Sequence, residues 1–161
     1  EIVYDLADLL RGSVKLAQQA TTSVEEEIRL VDLYLKLQEK RFHDRLTYEI
    51  ETPDESKNHQ IPALLLQPVV ENTIKHAVAP YASKAHIKIS IVARQSRLEI
   101  LFQDSGQPFD DKNIVEGNGF RILRKSLALN YPDNHEMSLQ STSQGGLFRL
   151  SIPRTERTTR Q

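Results

Sequence analysis

The chain has no cysteine and no tryptophan, and a single methionine among 161 residues. The absence of cysteine excludes a disulfide framework, a thiolate metal site and a cysteine nucleophile. No sign of charge dominates. Lys and Arg number 21 against 22 Asp and Glu, and a net charge of −1 offers no basic field for duplex nucleic acid. No apolar run approaches the length of about 18 residues that a membrane span needs. No signal peptide is visible at the start. What remains is enough chain for one ordinary domain, or one domain with a helical appendage, able to bury a core without staples. It opens on Glu1, already in a helical pattern, which reads as a segment of a longer protein.

Two helices come first. Residues 1–18 place Ile2, Leu6, Leu9, Leu10 and Leu16 at helical spacing, with Gly12 weakening the pattern slightly. In the second helix, Ser23 and Glu26 fit a capping box. Glu25, Glu26 and Glu27 suit a positive helix start, and Lys40 and Arg41 suit its end. Val24, Ile28, Val31, Leu35 and Phe42 line one face, and Leu30, Leu33, Tyr34 and Leu37 an adjoining one. A stripe this broad predicts packing on two sides, against the domain and against a second helix or subunit.

Leu46–Glu51 alternates as a half-buried strand and stops at Pro53. Residues 61–78 read as a third helix. Pro68 falls inside it, so the regular part is expected to start there, with proline at the first helical position. Residues 86–93 and 98–103 alternate as two strands, 104–119 reads as a loop holding Gly106, Pro108, Gly117 and Gly119, and 120–130 as a fourth helix. Residues 137–141 and 147–152 are two further strands about a Gly145-Gly146 turn. The expected fold is α+β: a two-layer sandwich of a mixed β-sheet with helices on one face, preceded by a helical hairpin. The organisation is a helical segment 1–45, a main domain 46–153 and a frayed tail 154–161.

Three segments carry chemistry. On the third helix Asn72, Lys75 and His76 share a face, with Glu71 in the neighbouring row. An amide oxygen is a hard ligand for magnesium, and the cations suit phosphate oxygens. The plainer alternative is a solvated face with a Glu71–Lys75 ion pair. Asp104-Ser105-Gly106 follows a strand directly, so its carboxylate can accept from a base amino group while the glycine admits close backbone approach. An ordinary strand-ending turn would look the same. Gly117-Asn118-Gly119 runs into a helix start, where free amides and the helix dipole favour an anion. A flexible loop is the alternative there.

Asn on a helix, then Asp-x-Gly after a strand, then Gly-x-Gly before a helix, in that order, resembles the GHKL ATP-binding fold. That superfamily covers sensor histidine kinases, gyrase-type topoisomerases, Hsp90-type chaperones and MutL-type repair proteins. The run from Gln67-Pro68 through Glu71-Asn72 to Lys75-His76, with 23–28 and 39–46 upstream, is most similar to the LytS/YehU-like branch of the histidine kinases. The resemblance extends to Pro153. It implies an ATP-binding catalytic domain of a two-component sensor. Asn72 would hold Mg2+, Glu71 would polarise the attacking imidazole or order water, and Lys75 and His76 would meet the phosphates. Asp104 would read the adenine amino group, with Gly106 allowing its approach. Residues 107–118 would form a lid over ATP. Gly117, Gly119 and the start of the helix at Phe120 would wrap the phosphates, and Gly145-Gly146 would border the adenine pocket.

The resemblance also implies partners: a phosphoacceptor histidine on an upstream helix, a response regulator and a second subunit in the full-length protein. It places the segment in the cytoplasmic part of an inner-membrane sensor. None of His43, His59, His76, His86 or His135 stands in the sequence setting of the phosphoacceptor, and His43 and His59 read as surface loop residues. Pro108 replaces a glycine of the family's Asp-x-Gly-x-Gly pattern, and Ile122 replaces an asparagine of its second glycine box. A degenerate docking module of the same fold is therefore the alternative to an ATP-binding kinase domain.

Overall fold

The computed structural model describes residues 2–107 and 117–155. In chain order the elements are helix α1 (Ile2–Ala17), strand β1 (Thr21–Ser23), helix α2 (Val24–Phe42), a 3-10 turn (His43–Arg45) and strand β2 (Leu46–Glu51). Then follow a one-turn helix α3 (Asp54–Lys57), strand β3 (Gln60–Pro62) and helix α4 (Gln67–Thr73), which continues as a π turn over Ile74–Val78. Strands β4 (Ala85–Arg94) and β5 (Arg97–Asp104), helix α5 (Asn118–Asn130) and strands β6 (Glu136–Thr142) and β7 (Gly145–Pro153) complete the order.

Five strands form one mixed sheet in the order β2-β4-β5-β7-β6. β2 and β4 run parallel and every other pair is antiparallel. The register explains the layering. Ile89 lies opposite Phe102, Phe102 opposite Phe148, and Ile91 opposite Ile100, which lies opposite Leu150. Because side chains alternate along a strand, these residues share one face. That face is buried with Val31, Leu35, Val69, Val70, Ile74, Leu123 and Leu127 from the helices. The opposite face is polar: Lys88 reaches Glu49 at 3.1 Å and Glu51 at 2.8 Å, and Arg97 Nε donates to Ser151.

α2 starts as its sequence predicts. Ser23 Oγ accepts from the Glu26 amide at 3.2 Å. The Thr22 hydroxyl, then Lys15 and the Ser23 amide, hold the Glu26 carboxyl below the usual carboxylate range. α1 covers the second face of α2 only in part. A Cβ on Gly12 would lie 2.9 Å from Leu30, so glycine sets the helix spacing. Val3, Leu6, Leu10 and Val14 of α1 form an exposed apolar stripe on its far side.

Three departures from the sequence reading concern the connections. Ile61 and Pro62 are not helical; they pair with Thr22 and Thr21 in a two-stranded ribbon, and α4 begins only at Gln67. Pro68 in its first turn fits there because that position has no intrahelical bond to lose. His59, read as a surface residue, is 1% exposed. The segment 54–59 folds under the sheet, with Ser56 Oγ accepting from the Ala93 amide and the His59 carbonyl accepting from Val24. Arg154 and Thr155, assigned to the tail, are tied down: Arg154 N donates to Ser96, and Gln60 N donates to the Thr155 carbonyl at 2.7 Å. Residues 156–161 lie outside the described chain.

Phe148 packs edge-on to both Phe102 (centroids 6.1 Å apart) and Phe120 (5.8 Å). Phe148→Ala is expected to cost about 3–5 kcal/mol in urea unfolding. Ile122→Ala, on the exposed side of α5, should stay within about 0.5 kcal/mol.

Candidate functional site

The three chemical segments meet around α4. A Cβ on Gly106 would lie 2.7 Å from the Ala77 Cβ and 2.9 Å from its Cα. The Asp-x-Gly turn therefore rests directly on the C-terminal end of α4. A Cβ on Gly119 would lie 3.3 Å from Pro68, so the Gly-x-Gly start of α5 rests on the N-terminal end. Glu71, Lys75 and His76 are exposed between these two contacts, and Asn72 is half-buried beside them. The structure thus gathers the helix and both glycine segments that the sequence singles out.

Asp104 ends β5 on the helix-covered face, in register with Ile87. Its Oδ1 accepts from the Gly106 amide at 2.9 Å and from the Gly146 amide at 3.0 Å. Burial pushes the carboxyl up, and those two amides pull it part of the way back. With Oδ1 held by the backbone, Oδ2 is the oxygen left to meet a ligand donor. Gly145 shapes the same corner. Its φ is +129°, and a Cβ there would collide with the Asp104 carbonyl.

The π turn is the feature that periodicity did not reveal. Ala79 N donates to the Ile74 carbonyl at 2.9 Å, five residues back. Such a turn widens the helix and re-aims side chains, and it recurs at functional sites. Here it carries Lys75 and His76. Partial burial, then the Lys75 ammonium, holds the His76 imidazole below its ordinary range. Glu71 does not stand free: Gln67 Nε2 donates to its carboxylate at 3.0 Å. Burial first, and the Glu71 charge second, push the Tyr34 phenol of α2 up to about 12.

Phe120 has a different place from the one expected. It is 4% exposed and packed into the core against Phe148, so its side chain anchors α5, and the free backbone of the α5 start is what faces outward. That helix begins at Asn118 with Gly117 as its cap. Ile122 is 64% exposed on α5. Pro108 and residues 109–116 of the expected lid lie outside the described residues.

Sequence reasoning missed Glu27. It is 0% exposed, and its carboxylate accepts from the Leu64 amide and, at 3.1 Å, from the Leu66 amide. The Leu65 amide also favours the charge, yet burial dominates and raises the carboxyl to about 7. Leu64 has φ +59°, so the chain curls around the carboxylate as successive amides do in an anion nest. The signal was present: Glu27 lies three residues after Val24 and four before Val31, on the buried face of α2.

The groove between α1 and α2, about 590 Å3, is lined by Arg11, Lys15, Glu26, Arg29 and Lys36 and by none of the residues around α4.

Comparison with known proteins bears on the family and the fold. A family model described as Histidine kinase matches residues 1–46. The sensor protein LytS of Oceanobacillus iheyensis is 25% identical over 94% of this chain and 28% of its own length. The sensor histidine kinase YpdA of Escherichia coli K12 is 34% identical over 73% of this chain and 21% of its own. The chain thus spans about a quarter of the curated relatives it matches. The catalytic domain of histidine kinase ThkA superposes with a TM-score of 0.64 at 18% identity, covering 85% of this chain and 97% of that one. ThkA in complex with the response regulator TrrA gives 0.58 at 15% identity, over 95% of this chain and 48% of that one. The fold is that of a histidine kinase catalytic domain. The chain belongs to the sensor histidine kinases, among relatives of the LytS and YpdA type.

Two outcomes follow from these contacts. Gly145→Ala and Gly106→Ala should each lower thermal stability, by about 1–3 kcal/mol from overpacking. Gly117→Ala meets nothing within 4 Å and should leave stability nearly unchanged. For Glu27, a folded value near 7 against the ordinary 4.5 means that the folded state holds its proton more tightly. Its contribution is full below about 4.5 and is lost as pH rises through about 7. Urea midpoints taken across that interval should fall with rising pH, and Glu27→Gln should flatten the slope.

Proposed function

We propose that this chain binds Mg–ATP over α4, between the Asp104–Gly106 turn and the Gly117–Gly119 start of α5. The γ-phosphoryl group then passes to a histidine nitrogen on a helix of the full-length protein, as its bond to the β-phosphate oxygen breaks and ADP leaves. The observation that carries this reading is the convergence of the two glycine segments on opposite ends of α4, with Glu71, Asn72, Lys75 and His76 outward between them.

Each residue has a chemical task. Asp104 Oδ2 accepts from the adenine amino group, while the Gly146 and Gly106 amides fix the carboxylate in place. Lys75 offers an ammonium to phosphate oxygens, and His76, held toward its neutral form, offers a ring N–H. The amides at the start of α5 add donors for the phosphates. Glu71, to which Gln67 Nε2 donates, polarises the attacking imidazole or orders water. Phosphoryl transfer asks the protein mainly for position and charge neutralisation, which this set supplies.

The donor set fits magnesium in the manner of nucleotide sites. Among the described residues no group of three or more His, Asp or Glu is gathered to hold a metal ion. One amide oxygen, from Asn72, together with substrate phosphates suits Mg2+ better than an all-protein cage. When bound, the ion supplies charge neutralisation at the phosphates.

The partners belong to the same proposal. The exposed Val3, Leu6, Leu10 and Val14 stripe on α1 supports pairing with another helix in a dimer of the full-length protein. The TrrA complex of ThkA supports a response regulator as phosphate acceptor. Homology to sensor proteins supports a cytoplasmic segment of a membrane sensor, and among the described residues no helix is long and apolar enough to cross a membrane.

Calorimetric titration of Mg–ATP into the chain tests the reading. Binding is expected in the wild type, weakened at least about tenfold by Asn72→Ala and by Asp104→Ala, each of which removes a ligand contact that nothing else replaces. Absence of binding at millimolar nucleotide, or binding indifferent to both substitutions, would overturn it.

A further inference from the structure

We infer that Glu27 is a positioning residue for the nucleotide site: from α2 it fixes where α4 starts, and thereby where Asn72 and Lys75 stand. The inference rests on the ATP-site reading above.

The carboxylate is held in a nest rather than a simple cap. The amides of Leu64 and Leu66 both donate to it, Leu65 lies between them, and Leu64 takes a left-handed backbone, φ +59°. A leucine avoids that conformation unless something rewards it. Here the reward is convergence of neighbouring N–H groups on one buried carboxyl group. α4 follows at once, at Gln67. The cap position, Leu66, brings no side-chain cap of its own; its amide donates to Glu27 instead, so the carboxylate pins the residue from which the helix starts.

Seven residues later, on the same face of α2, Tyr34 stands close enough to Glu71 for the carboxylate charge to act on its phenol. One helix face therefore acts on this region twice: by hydrogen bonds to the residues just ahead of α4, and by a phenol within range of the Glu71 charge. Glu27 itself touches no predicted ligand atom. Its effect passes through the backbone of 64–67, with Pro68 then packed on Gly119.

A purely structural role and a positioning role differ in what they change. Loss of stability alone lowers the folded fraction and leaves the affinity of folded molecules intact. Loss of position weakens binding by molecules that remain folded. The variants are Glu27→Gln, which keeps the shape but turns an NH2 group toward amide donors, and Glu27→Asp, which keeps the charge but withdraws it by one methylene. Ile152→Val, at the end of the sheet remote from Asp104, is the matched destabilised control. Mg–ATP affinity is measured at a temperature where all four proteins are folded by circular dichroism. Amide hydrogen exchange is recorded on the same samples without nucleotide.

Glu27→Gln is expected to raise Kd at least about tenfold, a misplacement effect, with Glu27→Asp between it and wild type and Ile152→Val within about twofold of wild type. Exchange at 64–76 should quicken in Glu27→Gln while β5 and β7 stay protected. Wild-type binding together with an unchanged Kd in Glu27→Gln, or a loss no larger than that of the control, would overturn the inference and leave the ATP site standing. Unchanged exchange at 64–76 would overturn it as well. Failure of the wild type to bind would overturn both readings.

Discussion

The site depends on how one short helix is held. α4 has seven α-helical residues and a five-residue π turn, too few to be stable alone. Its inner face is buried through Val69, Val70, Ile74, Ala77 and Val78. At one end the Asp104–Gly106 turn lies against Ala77, and at the other the start of α5 lies against Pro68. Both contacts are too close for a side chain of ordinary size, so small residues there are a condition of the geometry. With the helix fixed on three sides, its fourth face is the one left to carry Glu71, Asn72, Lys75 and His76.

Electrostatics follows from the same packing. Asp104 sits at the rim of the core, where burial opposes its charge and two glycine amides oppose burial. The amides bind one oxygen and so orient the other. Glu27 shows the same competition deeper in the fold, and there burial wins by a wider margin, with the carboxyl near 7. Surface pairs such as Lys57–Asp54 and Arg11–Asp8 are exposed and contribute little to stability.

Much of this was legible in the residues. Alternation located all five strands of the main sheet, because one face is apolar and the other polar along each strand. Ser23 and Glu26 announced the start of α2, and Pro68 announced the early turn of α4. The segment 67–76, Asp104 and the glycines were singled out in the sequence, and the fold brings them together around α4. Three kinds of information were not local enough to read. Ile61 and Pro62 form a strand only because Thr21 and Thr22 are there to pair with them. Phe120 adjoins a glycine box, yet its ring fills the space beside Phe148. Glu27 looked like one of three acids serving a helix dipole, and its function depends on amides some 37 residues away in the chain. The π turn has no periodicity of its own to announce it.

The proposed nucleotide sits over α4 between the two glycine contacts. The most direct measurement is a titration of the 15N-labelled chain with Mg–ADP, followed amide by amide. Binding there should move the amides of residues 71–76, 104–106, 117–119 and 145–146 together, with one common affinity, and leave the α1–α2 groove unmoved. Shifts confined to α1 and α2, or no shifts at saturating nucleotide, would rule out a nucleotide site over α4.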